Sequence, residues 1–380
     1  MRIACIATSE VPSKKANSIQ VMKVCQAFVG LGHTIKLWLP GRTPDVSWQF
    51  LAEHYGIRDR FEICWIRAAR QLRRYDFCLR AVLAARLWNA DLYYVRTLQA
   101  AALASRRGLP TALELHDQPQ GRFGPWLFGQ YLRGSGARRL LPTTEALRAW
   151  LERVYKVTLE TPFVVIAPNG VDLVRYADLP TPEEARRELG MQESFTVGYT
   201  GHFYPGRGID LLLELARRNP TMRFIWAGGE PAAVDRWRRR LTGGGVDNVQ
   251  VLGFISNERL PLVQAACEML LMPYERRISV SSGGDTARFA SPMKVFEYLA
   301  ATRTIISSDL PVLREVLNEK NAVLVPPEDV AAWNDAIRSL ASDPDRRQHL
   351  ASQARSDATR YTWIERARRS LQDMEQDSAA

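Results

Sequence analysis

Short apolar runs alternate with stretches of helical spacing along most of this 380-residue chain. Residues 2–8 (RIACIAT) are the first such run and predict a buried strand. A polar loop from Ser9 to Ser18 follows. Val21, Val24, Cys25 and Phe28 then recur at helical spacing, which predicts a helix over Ile19 to Leu31, closed by Gly30 and Gly32. His33 to Leu39 (HTIKLWL) is the next strand. The order strand, loop, helix, strand returns with Leu92 to Arg96, an Ala-rich helix from Leu98, and Thr111 to Leu115.

A second series starts after the polar, proline-bearing stretch Leu179 to Gly190. It predicts strand Thr196 to Thr200, helix Gly208 to Arg218, strand Phe224 to Ala227, helix Ala232 to Leu241 and strand Val249 to Leu252. Helix Glu258 to Ala266, strand Met269 to Met272, helix Pro292 to Ala301 and strand Thr304 to Ser307 complete it. Such alternation predicts parallel sheets covered by helices on both faces. Two series joined by a linker predict two α/β domains, residues 1–178 and 179–360, with a terminal helical segment 361–380 packing back toward the first. In open sheets of this kind ligands lie at the carboxyl ends of the strands, here expected in the cleft between the domains.

Composition adds little to that picture, with 46% hydrophobic and 24% charged residues, as in ordinary globular chains. The five cysteines (Cys5, Cys25, Cys64, Cys78, Cys267) show no Cys-x-x-Cys pairing, which argues against a zinc site or disulfide framework and suits a reducing cytoplasm. No apolar run approaches the roughly 20 residues that a membrane-spanning helix needs. Met1 to Thr8 is too short for a signal peptide.

Charge does change the picture. Residues 1–175 hold 25 Lys and Arg against 13 Asp and Glu, a balance of +12, and the remainder holds 26 against 28. The densest parts carry aromatics: Arg67, Arg70, Arg73, Arg74, Tyr75, Phe77 and Arg80, then Arg122, Phe123, Trp126, Phe128, Tyr131, Arg133, Arg138 and Arg139. That mixture suits the inner face of an anionic membrane, with the protein cytoplasmic or peripheral there, and equally suits arginine used as a general surface cation. No nucleic-acid-binding module accompanies it, so nucleic acid is not an expected partner.

The loop after the first strand, SEVPSKKANS, has no glycine, which excludes the dinucleotide fingerprint. The second series offers Gly201-His-Phe-Tyr-Pro-Gly206-Arg207-Gly208. Its glycines have the spacing of a phosphate-binding P-loop, but Arg207 replaces the lysine and Gly208 replaces the magnesium-holding Ser or Thr. A glycine-rich turn that opens a helix and carries an arginine is still a good anion site, and also an ordinary strand-to-helix turn. The sharpest constellation is Arg288-Phe-Ala-Ser291-Pro292-Met293-Lys294-Val-Phe296-Glu297. Ser291 then Pro292 predicts an N-cap and first helical residue. Lys294 in the first turn opposes the helix dipole, an expense explained by an anion over the same end. Glu297 lies one turn deeper. A cation at the helix mouth above a carboxylate suits a diphosphate beside a ribose; a solvated Lys–Glu pair fits the same spacing.

On these residues the chain resembles the family 4 retaining glycosyltransferases of the GT-B fold, over nearly its whole length. Ala167-Pro-Asn-Gly-Val-Asp172, Tyr199-Thr-Gly-His-Phe-Tyr-Pro-Gly-Arg207-Gly-Ile-Asp210 and Ser291 to Ala301 carry the likeness. Leu252-Gly-Phe-Ile, Ser308-Asp-Leu-Pro-Val-Leu-Arg-Glu and Tyr361-Thr-Trp363 are similar to further family landmarks. The resemblance implies two doubly wound, Rossmann-like domains facing across a cleft. It also implies a nucleotide-sugar donor, UDP- or GDP-linked, held by the second domain without a metal or other cofactor. The acceptor, whether glycan, lipid-linked or small molecule, would lie on the first. By this likeness Glu297 is the ribose ligand and Arg207 the cation that neutralises the diphosphate, joined by Lys294. Gly201, His202, Ser291 and Met293 are further donor contacts, although Pro292 has no N–H to give. His116 resembles the histidine facing the donor sugar, and Arg207, Lys294 and His116 form the catalytic set. Same-face substitution with retention is the implied course.

Two positions depart from the family pattern. Eight residues before Glu297 stands Phe289, where the family has its first glutamate, with Asp285 the nearest substitute. His202 stands at the first of two basic positions in the Gly201 loop. A sugar-nucleotide epimerase of the same fold and a non-catalytic sugar-nucleotide-binding subunit share the expected pocket.

Overall fold

The computed structural model describes residues 1–72, 74–278 and 288–374. The chain divides into two compact units, one comprising 1–169 with 363–380, the other 170–362. The first division falls at 169, where the sequence reading put it at 178. The C-terminal segment belongs to the first unit from residue 363.

In the first unit β1 (Arg2–Ile6), β2 (Thr34–Pro40), β3 (Glu62–Ile66), β4 (Leu92–Val95), β5 (Thr111–Leu115) and β6 (Ala137–Pro142) form one parallel sheet, ordered β3-β2-β1-β4-β5-β6. Its helices are α1 (Ala16–Gly30), α2 (Trp48–Tyr55), α3 (Tyr75–Leu87), α4 (Leu98–Ser105), α5 (Gly124–Leu132) and α6 (Glu145–Tyr155). The central strands are buried but for the partly exposed Arg2 at the start of β1, as a sheet covered on both faces requires. Helices α3, α4 and α5 pack side by side, while α1 packs with α2 and with the last helix of the chain. Strand order reverses between β1 and β4, and such a reversal opens a crevice at the carboxyl ends of the two strands.

The second unit repeats the plan. It holds α7 (Pro182–Glu188), β7 (Thr196–Thr200), α8 (Ile209–Arg218), β8 (Arg223–Ala227), α9 (Pro231–Gly243) and β9 (Val249–Gly253). It continues through α10 (Leu260–Ala265), β10 (Met269–Met272), α11 (Met293–Ala300), β11 (Thr304–Ser308), β12 (Val323–Val325), α12 (Val330–Ala341) and α13 (Pro344–Ala358). The sheet is again parallel, ordered β12-β11-β10-β7-β8-β9, with its reversal between β7 and β10. Helix α14 (Trp363–Leu371) then rejoins the first unit, where Gly30 of α1 leaves the space that Ile364 occupies. Among the described residues no helix is long and apolar enough to cross a membrane.

Candidate active site

At the reversal in the second sheet, the turn leaving β7 meets the chain leaving β10 and the start of α11. Gly201 has φ 144°, and a Cβ there would stand 2.5 Å from Lys294 Nζ. Gly208 has φ 71°, and a Cβ there would strike the Pro273 carbonyl. These glycines let backbone close on backbone where any side chain would fill the crevice. The sequence reading placed Ser291 at the N-cap and Pro292 inside the helix. The structure instead makes Pro292 the N-cap, with extended ψ of 130°, and begins α11 at Met293. A proline has no hydroxyl with which to cap, and the N-cap residue makes no side-chain hydrogen bond to this helix end. Ser291 and Met293 flank the uncapped end.

Lys294 is 9% exposed, and among the described residues its Nζ has no hydrogen-bond partner. It lies 4.0 Å from the centroid of the Tyr199 ring and 5.1 Å from that of Tyr274, so aromatic faces add their negative potential to that of Glu297. Burial, helped by the Arg207 charge and opposed by Glu297, pushes its ammonium well below the usual lysine range. The Arg207 guanidinium sits 4.5 Å over Tyr274, and its Nε is likewise buried without a partner. His202 stacks on Tyr204 at 4.8 Å, and its Nδ1 is also buried and unpaired. Burial and the charges of Arg207 and Lys294 lower its pKa, so the ring is neutral at pH 7. Glu297, half-buried one turn along α11, is near enough to act on Lys294, Tyr176 and Tyr274. The fold thus gathers Gly201, His202, Arg207, Lys294 and Glu297. Asp285, its Gly283–Gly284 turn and Arg73 lie outside the described residues, and Phe289 is buried.

His116 sits in the first unit, just beyond β5, beside a buried cluster the sequence did not foretell. Glu114 on β5 is 1% exposed. Its Oε1 meets Arg96 Nε at 3.0 Å and the His116 ring, while its Oε2 meets Arg366 of α14 at 2.8 Å and the Tyr94 hydroxyl. Arg366 also donates to the Tyr94 oxygen at 3.0 Å and to the Pro168 carbonyl at 2.9 Å. Burial disfavours the Glu114 charge, yet Arg366, Arg96 and His116 override it and hold the carboxyl well below the usual range. His116 Nε2 is also 2.7 Å from an Arg96 nitrogen. A neutral ring can accept there from Arg96 or donate to Glu114, but not both, so the two neighbours favour opposite tautomers and compete for Nε2. Burial and the Arg96 charge keep the ring neutral.

Comparison with known proteins agrees with this geometry. Residues 18–175 match the family described as glycosyltransferase family 4, and residues 194–343 match the glycosyl transferases group 1. The chain belongs to the family 4 glycosyltransferases. A D-inositol 3-phosphate glycosyltransferase from Xylanimonas cellulosilytica is 27% identical over 297 residues, covering 75% of this chain and 66% of that protein. The chain spans less than two thirds of the length of the first curated relatives it matches. Among solved structures, sucrose-phosphate synthase from Thermosynechococcus elongatus superposes with a TM-score of 0.75 at 17% identity, covering 100% of this chain and 99% of that one. Anabaena HepE in complex with UDP-glucose superposes with a TM-score of 0.72 at 17% identity over 100% of both chains. The fold is therefore GT-B.

For this family 4 glycosyltransferase the crevice of the first unit is as informative as that of the second. A cavity of 1020 Å³ opens at the carboxyl ends of its strands. Ser9 and Glu10 line it after β1, Gly41 after β2, Arg96 and Gln99 after β4, and Arg122 after β5. Sequence reasoning missed Tyr199, Tyr274 and the Glu114 cluster. The aromatic residues read only as strand and loop hydrophobes, and the cluster is assembled across more than 270 residues, as the Arg366–Tyr94 bond spans 272 positions. Among the described residues no group of three His, Cys, Asp or Glu is gathered as a metal site.

Proposed function

We propose that this chain transfers a sugar from a nucleoside diphosphate sugar, UDP- or GDP-linked, to an acceptor held by the first unit, with retention and without a metal. The observation that carries the reading is Lys294 Nζ, a buried nitrogen that meets no hydrogen-bond partner among the described residues, beside Arg207 Nε, which meets none there either. A buried charge of this kind is costly unless something neutralises it. A diphosphate over the uncapped start of α11 does so. Glu297, one turn on, is then the ribose ligand, and Gly201, His202, Ser291 and Met293 surround the phosphates and sugar.

The chemistry follows from the charges. Cleaving the sugar–phosphate bond leaves negative charge on the diphosphate and oxocarbenium character on the sugar. Arg207, Lys294 and the helix end stabilise the former, already in place before the bond breaks. The leaving phosphate takes the acceptor proton on the same face of the sugar, and His116, held in place by Arg96 and Glu114, contacts the sugar. HepE was crystallised with UDP-glucose, which supports a UDP-sugar as the first donor to try. The acceptor, a glycan, a lipid-linked intermediate or a small molecule, enters the cavity of the first unit. The excess positive charge of that half faces an anionic cytoplasmic membrane surface rather than nucleic acid.

The test is thermal shift with UDP-, GDP- and ADP-sugars on wild type and Glu297→Ala. One donor class should stabilise wild type and lose that effect in the variant. If no donor stabilises wild type, or both proteins respond equally, the pocket is misassigned.

A further inference from the structure

Helix α3 turns an unusual face to solvent. Its buried side is Phe77, Cys78, Ala81, Val82 and Ala85. Its outer side is Tyr75, Leu79, Leu83 and Leu87, one ridge at i+4 spacing, in which Leu79 is 42%, Leu83 45% and Leu87 85% exposed. Arg80 and Arg86 share that outer face. Residues 67–90 hold six arginines and one acid. That acid, Asp76, is spent internally, accepting from the Ala69 N–H at 2.8 Å and pairing with Arg80 at 3.0 Å. Four large apolar side chains in a row are more than an isolated exposed leucine, which would need no explanation.

The ridge runs into the rim of the 1020 Å³ cavity. Arg74 and Tyr75, where α3 begins, line that cavity together with Arg122 and Phe123, just before α5. Trp126 on α5 is 61% exposed. The rim and ridge therefore combine leucines, aromatic rings and arginines, the residues that settle at a bilayer surface with stems in the acyl boundary and charges among the headgroups. At 13 residues α3 is about 20 Å long, too short to span a bilayer and long enough to lie along one.

We propose that α3, with Tyr75 and Phe123 at the cavity rim, docks the first unit on an anionic phospholipid bilayer, so that the acceptor reaches the cavity from the lipid headgroup layer. The source of the acceptor rests on the glycosyl-transfer reading above; the docking does not. Charge selects the occupant. An anionic surface answers the arginines, whereas a second copy packed through the same face would set Arg80 and Arg86 against their own kind.

Flotation of the full chain with vesicles tests this, comparing phosphatidylcholine alone with phosphatidylcholine containing phosphatidylglycerol. Wild type should bind the anionic vesicles at least about tenfold more tightly than the neutral ones, and release as salt is raised. Leu79→Glu/Leu83→Glu and, separately, Arg80→Glu/Arg86→Glu should each lower binding by about tenfold or more. Thermal shift with the nucleotide-sugar panel, run on the same samples, should be unchanged in both variants. Equal binding to both vesicle types, no binding, or unaltered binding by the variants overturns the docking, as does a wild-type dimer in size-exclusion that Leu79→Glu/Leu83→Glu dissolves. Loss of the donor response in wild type overturns the transfer reading and leaves the docking standing.

Discussion

Both units bury arginine or lysine at the carboxyl side of a parallel sheet, and they treat those charges in opposite ways. In the first unit Glu114 stands among Arg96, Arg366, Tyr94 and His116, with hydrogen-bonding contacts on both of its oxygens. In the second, Lys294, Arg207 and His202 converge with Nζ, Nε and Nδ1 atoms that meet no hydrogen-bond partner among the described residues; Lys294 and Arg207 lie over tyrosine faces, and Glu297 acts on Lys294 from one turn along α11. A completed cluster fixes a shape. An uncompleted one is suited to an anionic ligand, on the reading proposed above, a diphosphate. The same residue types are thus arranged for positioning in one place and, on the proposed reading, for binding in the other; a buried carboxylate in direct ion pairs with its cations distinguishes the first.

The largest effect that can break this contrast is expected in the completed cluster. Arg366→Met should leave Glu114 buried beside one fewer cation and cost about 3–5 kcal/mol of stability, read as unfolding of the first unit in urea. Adding Glu114→Gln should recover part of that loss, because the stranded charge is then gone. If Arg366→Met unfolds like wild type, the cluster is not holding the fold. Acid should act on the same group: a carboxyl held below its usual value contributes stability above about pH 4.5 that is lost as pH falls through the lowered folded value.

The open cluster should answer in the reverse sense. Lys294→Met keeps the side-chain length and removes a charge whose protonation burial opposes, so the free protein should be no less stable than wild type. Its transfer rate should nevertheless fall by about 10²–10³-fold, the size expected when one preorganised charge is taken from a transition state. A variant that lost stability and kept its rate would place Lys294 with the structural cations.

How far the sequence could anticipate this depends on distance along the chain. The strands at Thr111–Leu115, Thr196–Thr200 and Met269–Met272 were legible to the residue, because buried parallel strands are short apolar runs bounded by turns. The cation cluster of the second unit stood out too, since Gly201 to Gly208 and Ser291 to Glu297 are local segments whose glycines, cations and helix start carry their own signature. Helix α3 was not read as a helix. Its outer face repeats leucine where an amphipathic pattern would show polar residues, so the period that marks a helix is blurred. The Glu114 cluster was illegible for another reason. Tyr94, Glu114 and Arg366 each look like ordinary strand or helix residues, and only the return of α14 to the first unit brings them together.

A smaller effect sharpens the contrast through protons. Lys294 is pushed below its usual pKa in the free protein by burial and Arg207, and a bound diphosphate would raise it again. Between those two values, binding should take up as much as one proton, and affinity should fall up to tenfold per pH unit as pH rises. Calorimetry in buffers of different ionisation enthalpy reads the uptake directly. Lys294→Met should bind weakly and show correspondingly less uptake, with His202 the remaining group able to contribute. Uptake equal to wild type in that variant would assign the proton elsewhere.

The smallest expected effect separates the ring of Tyr199 from its hydroxyl. The hydroxyl donates to the His202 carbonyl at 2.8 Å, while the ring lies under Lys294 at 4.0 Å. Tyr199→Phe removes the hydrogen bond and keeps the ring, so it should cost about 1 kcal/mol of stability and change donor affinity by less than about threefold. Tyr199→Leu removes the ring as well, and loses a cation–π contact worth about 2 kcal/mol or more when desolvated. Since that contact is the free protein's substitute for an anion, its loss should be felt more in the free state than in the complex. Tyr199→Leu should therefore lower the melting temperature further than Tyr199→Phe while the added donor restores much of the difference. A donor that rescues neither variant would mean that the tyrosine, and not the missing anion, is what Lys294 was built to meet.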